Sequence, residues 1–211
     1  MLVGSSGHAK VLAELLSAAG RFEAVGFIDR DPSRWAKKVL GLEVFGGDDL
    51  LPGLLARGVK FAVVAVAGTG GNRKRSELFT NLKNLGFDLP ALLHPAASIS
   101  RSATLEEGTQ VMQGCIICPD SAIGANTIVN TGVLVEHDYR IGRNCNLALR
   151  SAFMGGVEIG DNTHVGAGAI INECVSVGKD VIIGSGTVVI KDVPNGLKVA
   201  GVPAKPIGRL T

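Results

Sequence analysis

The sequence predicts an α/β domain with a Rossmann-like parallel sheet over residues 1–94, followed by an all-β stack of coils over 95–192 and a tail over 193–211. Three observations carry this. A large apolar residue returns every sixth position for some ninety residues, a tetrapeptide returns every eighteenth, and strand and helix signals alternate ahead of both.

The six-residue period runs from Ile99 through Leu105, Val111 and Ile117 to Val189 without a break in register. Two places before each apolar residue stands a mostly small one: Ala97, Ala103, Thr109, Cys115, Ser121, Thr127 and so on to Thr187. Six fits neither the 3.6-residue helix nor a plain strand. It fits short strands wrapped into a coil, in which alternation turns both residues of each pair inward. Ile123-Gly124-Ala125-Asn126, Ile141-Gly142-Arg143-Asn144 and Ile159-Gly160-Asp161-Asn162 recur eighteen residues apart, and Val177-Gly178-Lys179-Asp180 continues them. Eighteen residues make one turn of a three-sided prism. The Gly and Asn are expected at its corners, where sharp turns need positive φ.

Composition agrees with such a fold. Among 211 residues there are 29 glycines and only 4% aromatics, as repeated tight turns and a thin core require. The net charge is +2 with basic residues scattered, so no stripe for nucleic acid is expected. No apolar run approaches the roughly 20 residues that span a bilayer, and Met1–Gly4 is too short and uncharged for a signal peptide. Cys115, Cys118, Cys145 and Cys174 are expected as free thiols, with the cytoplasm as the default location.

In the first half, Met1-Leu2-Val3 reads as a strand ending at Gly4-Ser5-Ser6-Gly7-His8. Leu12, Leu15, Leu16 and Ala19 mark an amphipathic helix. Val25–Ile28 is a strand ending at Asp29, and Phe61–Ala67 a strand buried on both faces that ends at Gly68-Thr69-Gly70-Gly71. A helix from about Asn72 to Leu85 and a last strand, Ala91–Leu93, complete the domain. Ligands of parallel sheets bind beyond the carboxyl ends of the strands. Ser6, Gly7, His8, Asp29, Arg30 and Gly68 are therefore the candidate substrate-binding residues. Glycines there admit phosphate to a helix N-terminus, and a carboxylate after the second strand can accept hydrogen bonds from a ribose or base. Gly4-x-x-Gly7 lacks the full dinucleotide fingerprint.

Gly4-x-x-Gly7-His8-Ala9-Lys10, Phe27-Ile28-Asp29, Leu93-His94-Pro95 and Ala200-Gly201-x-Pro203-Ala204-Lys205-Pro206, joined to the prism, resemble one family. It is that of the hexapeptide-repeat bacterial sugar O-acyltransferases, related to the sialic acid acetyltransferase and to the bacillosamine- and perosamine-type aminosugar N-acetyltransferases. The resemblance covers essentially the whole chain. It implies a left-handed parallel β-helix, a homotrimer, acetyl-CoA in the groove between neighbouring prisms, no metal, and a nucleotide-linked sugar rather than NAD on the α/β domain.

Acetyl transfer to an amine or hydroxyl needs a base for the acceptor proton and donors for the oxyanion. Of four histidines, His8 opens a helix, His94 sits at the domain junction, and His164 points outward as a surface residue or subunit contact. His137, in Val135-Glu136-His137-Asp138, matches the catalytic histidine of the aminosugar enzymes, and Asp138 the acid that raises its basicity. Nine residues on, where some relatives place a second histidine on the thioester, this chain has Asn146. The resemblance assigns further donor contacts to Gly155, Ala167 and Ser185, and the charge of Lys198 and Lys205 makes the tail a candidate for the CoA phosphates or simply a solvated segment. Cys115-x-x-Cys118 has the spacing of a redox or zinc pair, but Cys115 falls at an inward position and no second pair follows.

The reading favoured is N-acetylation of a nucleotide-linked aminosugar. O-acetylation of a sugar such as a sialic acid is the nearest alternative, since one base serves either nucleophile. A prism-type zinc carbonic anhydrase needs three histidine ligands, and the prism holds only His137 and His164. A silent assembly subunit with a sugar-nucleotide sensor would bind no acetyl-CoA.

Overall fold

A computed structural model describes residues 1–68 and 72–210. In the first domain β1 (Leu2–Val3) pairs in parallel with β2 (Phe27–Ile28) on one side and β5 (Val63–Val64) on the other. A hairpin of β3 (Lys38–Val39) and β4 (Leu42–Gly46) extends the sheet beyond β2. Helices α1 (Gly7–Ala19), α2 (Leu51–Ala56) and α3 (Arg73–Leu85) complete it. The apolar stripe of α1 buries Ala9, Leu12, Leu15 and Leu16, and the helix stops where Gly20 turns left-handed at φ 64°. The β3–β4 hairpin is absent from the sequence reading, because its strands are short and Gly41 and Glu43 interrupt any apolar run.

The expected last strand of this domain belongs elsewhere. Leu92–Leu93 pair with Gln110–Val111 and open the prism, ahead of the boundary placed at residue 94. At the other end, the segment read as a tail forms a hairpin of Leu197–Ala200 and Lys205–Arg209 on the same ladder.

Each coil of the prism is three two-residue strands, stacked in parallel on the coils above and below. The corner geometry is strict. Every sixth residue from Gly108 to Gly186 has positive φ, whether it is Gly, Asn, Asp, Arg or Cys. Asn126, Asn144 and Asn162 fill this role as expected, but the glycines of the Ile-Gly-x-Asn repeat do not. A Cβ on Gly160 would stand 2.5 Å from the backbone nitrogen of Lys179 in the next coil, and one on Gly124 2.6 Å from Gly142 C. These glycines let coils approach at the strand spacing rather than letting the chain turn.

From Thr109 onward both inward sets are buried, and several of the polar members bond to the neighbouring coil, while Tyr139 OH and Thr187 Oγ1 have no partner among the described residues. Thr127 Oγ1 donates to Gly142 O at 3.0 Å and Thr163 Oγ1 to Gly178 O at 2.8 Å, in each case at a corner of the next coil. Outward residues give the three faces different characters. One carries Thr104, Ala122, Arg140, Glu158 and Ser176 and is polar. The second carries Ile116, Leu134, Ala152, Ile170 and Val188 and is apolar. The third, with Gln110, Ile128, Asn146, His164 and Ile182, is the face that meets the α/β domain.

Helix α3 runs along the corner between the polar and covered faces. Lys83 Nζ donates to Glu107 Oε2 at 2.6 Å. Arg75 donates to the carbonyls of Asn126, Asn144 and Cys145, and Asn72 Nδ2 to the carbonyl of Asn162 at 3.1 Å. Eleven helical residues rise about 16 Å, and three coil steps cover about 14 Å, so the helix keeps pace with the coils. No helix among the described residues is long and apolar enough to cross a membrane.

Gly160→Ala should destabilise the fold by about 1–3 kcal/mol, the usual effect of overpacking, in chemical denaturation. Gly7→Ala is the control: its Cβ would meet nothing within 4 Å, and stability should be unchanged or slightly raised.

Candidate active site

Val135, buried in the prism, fixes the strand from which the chain turns at Glu136-His137-Asp138. Asp138 takes the left-handed corner position at φ 57°, and its N–H donates to Pro119 O in the coil below at 3.1 Å. The turn sets the two side chains together, with His137 Nδ1 2.9 Å from Asp138 Oδ2. An ionised carboxylate only accepts, so Nδ1 carries the hydrogen and Nε2 is left as the basic lone pair. The Asp138 hydrogen bond raises the imidazole pKa, desolvation opposes it, and the charges of Asp138 and Glu136 add to the rise. One coil up, a Cβ on Gly155 would stand 2.8 Å from His137 Cε1, so the ring lies over that glycine.

The other residues expected on the donor side are divided over the prism. Gly155 shares the corner of His137, between the apolar and polar faces. Ala167 and Ser185 stack at the corner between the covered and apolar faces, where Gly186 N donates to Ala167 O at 2.8 Å. Within one chain the width of the apolar face separates them from His137. Asn146 lies on the covered face, only 4% exposed, and its Nδ2 donates to Gly68 O at 2.8 Å. Its amide is thus committed to the α/β domain, where the sequence suggested a thioester contact. His164 is its ladder neighbour under the same domain rather than an open surface residue. Burial and then the charge of Arg75 lower its pKa.

The α/β domain forms a cleft of about 340 Å³ at the carboxyl ends of its strands. Ser6, Asp29 and Arg30 line it as expected, together with Ser5, Arg34, Asp48 and Lys74, which the sequence reading missed. Asp29 Oδ2 accepts from Ser5 N at 2.8 Å and from Ser5 Oγ at 2.5 Å, and Oδ1 accepts from Asp31 N at 3.0 Å. Burial would raise this carboxyl, but the Ser5 and Asp31 hydrogen bonds and nearby Arg34 outweigh it and the pKa is lowered. Arg34 Nη1 donates to Ser5 O at 3.0 Å, and Arg30 pairs with Asp48 at 2.6 Å. The Asp31-Pro32-Ser33 turn, capped by the Asp31 side chain on Ser33 N, aims Arg34 inward and was the available signal.

Three expected cleft residues fall outside it. His8 Nε2 lies 2.8 Å from Gln110 Oε1 on the prism, and Gln110 Nε2 donates to Val64 O at 2.8 Å, so His8 belongs to the seam between the domains. Burial first and Arg75 also lower its pKa, against the Gln110 bond. Gly7 is the first residue of α1 and faces open space. Gly68 holds Asn146, and the rest of its loop, Thr69–Gly71, lies outside the described residues. The glycine with a structural need is Gly4, at φ 109°, whose Cβ would stand 2.8 Å from Ala65 O. Cys115 faces the prism core and donates to Asn130 O at 3.0 Å, while Cys118 lies beside Glu136.

Comparison with known proteins agrees with both halves. The model "PglD N-terminal domain" matches residues 1–82, and "Bacterial transferase hexapeptide (six repeats)" matches residues 156–191. The chain is 42% identical to a histidine-to-asparagine mutant of perosamine N-acetyltransferase from Caulobacter crescentus, solved with CoA and GDP-perosamine. That likeness covers 98% of this chain and 95% of the other, with a TM-score of 0.92. The acetyltransferase domain of PglB from Neisseria gonorrhoeae, solved with acetyl coenzyme A, is 35% identical over 98% of this chain and 97% of its own, with a TM-score of 0.88. The UDP-N-acetylbacillosamine N-acetyltransferase of Bacillus subtilis is 33% identical over 53% of this chain and 50% of that protein. The UDP-3-O-acylglucosamine N-acyltransferase of Caulobacter vibrioides is 47% identical over 58% of this chain and 35% of that protein. The matches thus span a third to a half of these curated relatives.

The His137–Asp138 contact has a direct readout. The Cε1 proton of His137 should titrate above the ordinary imidazole midpoint, and Asp138→Asn should bring the midpoint down. A raised pKa means that the contact favours the protonated, folded form. Its stabilising effect is full below the unfolded-state pKa and is lost as pH rises through the folded one. The basic form, conversely, accumulates above the midpoint. An unshifted wild-type midpoint would show that the two side chains do not pair in solution.

Proposed function

The chain belongs to the hexapeptide-repeat sugar acyltransferase family that carries a PglD-type N-terminal domain, and on that premise we propose that it N-acetylates the amino group of a nucleotide-linked aminosugar from acetyl-CoA. The observation that carries the chemistry is the His137–Asp138 pair, an exposed imidazole with Nδ1 fixed on a carboxylate and Nε2 open. Nε2 takes a proton from the acceptor amine as its nitrogen attacks the thioester carbonyl. Asp138 steadies the imidazolium so formed. The proton then goes to the departing CoA sulfur, which leaves an amide and a free thiol.

The α/β cleft suits the nucleotide. Arg34, Lys74 and the N-terminus of α1 offer positive charge to a diphosphate. Asp29, already folding the Gly4–Ser6 turn, retains lone pairs for a ribose or base. The cleft thereby takes the part first assigned to Ser6, Asp29 and Arg30, with His8 and Gly68 in supporting positions.

A homotrimer completes this scheme. An apolar face beside a polar and a covered one invites three copies to bury it around a three-fold axis, a heterologous contact that closes. That packing brings the His137 corner of one protomer against the Ala167–Ser185 corner of the next, where Leu149 is half exposed. The donor residues divided within one chain then line one groove. Base and sugar-nucleotide cleft come from different protomers. We place the enzyme in the cytoplasm, where its four free cysteines stay reduced.

Acetyl-CoA incubated with UDP-, GDP-, dTDP- and CMP-linked aminosugars should give one acetylated product by mass spectrometry, stable to hydroxylamine as an amide is. A hydroxylamine-labile product would move the function to O-acetylation. His137→Ala should lower kcat by about two to four orders of magnitude with assembly intact. Light scattering should give a trimer, and a stable monomer at micromolar concentration would remove the shared groove.

A further inference from the structure

The eighteen-residue coil stacks Arg101, Pro119, His137, Gly155, Glu173 and Lys191 in one corner column. Gly155 is the only member without a side chain. Its backbone does not require this, since its φ is not in the left-handed region, which at this corner falls to Gly156. Nor is the backbone of the next coil what lies closest to its missing side chain, as it is at Gly160. The three atoms nearest to a Cβ on Gly155 all belong to His137: Cε1 at 2.8 Å, Nε2 at 2.9 Å and Nδ1 at 3.4 Å. The first two are closer than real side-chain carbons come.

From this geometry we infer that Gly155 is a positioning residue for the base, its missing side chain being the seat in which the His137 imidazole lies with Nδ1 on Asp138. The inference rests on His137 as the base and goes beyond the donor contact that resemblance assigns to Gly155. The ring can be displaced without harm to the fold. The His137 side chain is 61% exposed, so a methyl group at 155 would swing it into open space, not into the core. What the swing breaks is the 2.9 Å bond to Asp138. Nε2 moves by an ångström or more, and a misplacement of that size can cost about 10²-fold in rate.

The test is Gly155→Ala in the assembled protein, read in three ways. The kcat should fall about 10- to 100-fold, while acetyl-CoA affinity by calorimetry stays within about twofold, the scale of a few tenths of a kcal/mol. The Cε1 midpoint of His137 should drop towards that of Asp138→Asn, and the acid limb of the kcat profile should move to lower pH with it. The double variant His137→Ala/Gly155→Ala should be no slower than His137→Ala, because the seat is already empty. If Gly155→Ala alone fails to assemble, the double variant should assemble, since the clashing ring is gone. An unchanged midpoint and rate would overturn the inference. So would a rise confined to the acetyl-CoA KM, which would leave Gly155 as a donor contact only, or a double variant that also fails to assemble. Near-normal turnover of His137→Ala would sink the base instead, and the His137 midpoint in Gly155→Ala would still judge the seat.

Discussion

The fold depends on one constraint, that the chain must turn left-handed once in every six residues while neighbouring coils stay within backbone hydrogen-bonding distance. The first part of that constraint selects Gly, Asn and Asp at most corners and tolerates Arg150 and Cys174 at others. A lone left-handed residue costs an ordinary side chain about 1–2 kcal/mol, which the ladder on both sides offsets. The second part selects glycine at Gly124, Gly142 and Gly160, where any Cβ would enter the next coil. The same stacking lets the buried Thr127 and Thr163 reach carbonyls one coil away, so these core hydroxyls are paired across coils. A regular corner also makes one side chain's surroundings depend on residues eighteen places away. That is how Gly155 comes to shape the site of His137.

The corner carbonyls have a second use. They leave a row of acceptors along one edge of the prism, and α3 answers it with Asn72 and Arg75. Arg75 is 1% exposed and hydrogen-bonded only to carbonyls, and burial pulls its pKa down to about 10, still charged at neutral pH. Losing it would strand the carbonyls of Asn126 and Asn144, since Cys145 O also accepts from Ile128 N, so the α/β domain is held at a fixed place on the prism. His8 on Gln110, and Asn146 on Gly68, tie the ends of β1 and β5 to the same face. The seam therefore fixes the α/β cleft on the covered face of its own prism, and in the proposed trimer the packing of neighbouring prisms sets it relative to the next protomer's His137 corner. A direct-transfer enzyme with two substrate sites on two domains needs that distance constant.

Periodicity made the prism legible almost residue by residue, because each six-residue unit repeats one physical solution. The parallel sheet was legible in outline, since apolar runs such as Phe61–Ala67 announce buried strands. What failed to show were features that depend on partners. The β3–β4 hairpin is short and its apolar residues are broken up by Gly41 and Glu43, and Leu92–Leu93 looks the same whether it joins one sheet or the other. His8 and Asn146 have side chains that fit a ligand as well as a domain seam, and only their burial against Gln110 and Gly68 decides between them. Asp29 was visible as a carboxylate at a strand end. That its oxygens already hold the Ser5 turn was not visible, because hydrogen bonds to backbone N–H leave no trace in residue type. Gly155 was named only as a donor contact, and its proposed second use was hidden for a related reason: a glycine that leaves space for another side chain reads like any other glycine.

The distribution of site residues over the prism explains why assembly and catalysis are linked in the proposed scheme. A single β-helix cannot surround a thioester, since its corners are convex and point away from one another. His137 accordingly stands exposed at an edge, with solvent on the side where substrate must come. Convexity at a corner becomes concavity only when a neighbouring corner is set against it, and the face between His137 and Ala167 is the apolar one. In the proposed trimer, the residues that would drive association lie between the two halves of the groove. Burying Ile116, Leu134 and Ile170 in a trimer would be enough to bring base and donor contacts into register, with no loop or lid required. The raised basicity of His137 needs no assembly, because Asp138 is its sequence neighbour, fixed by the same left-handed corner that shapes every coil. Basicity is local to one turn of chain, and the pocket that uses it is not.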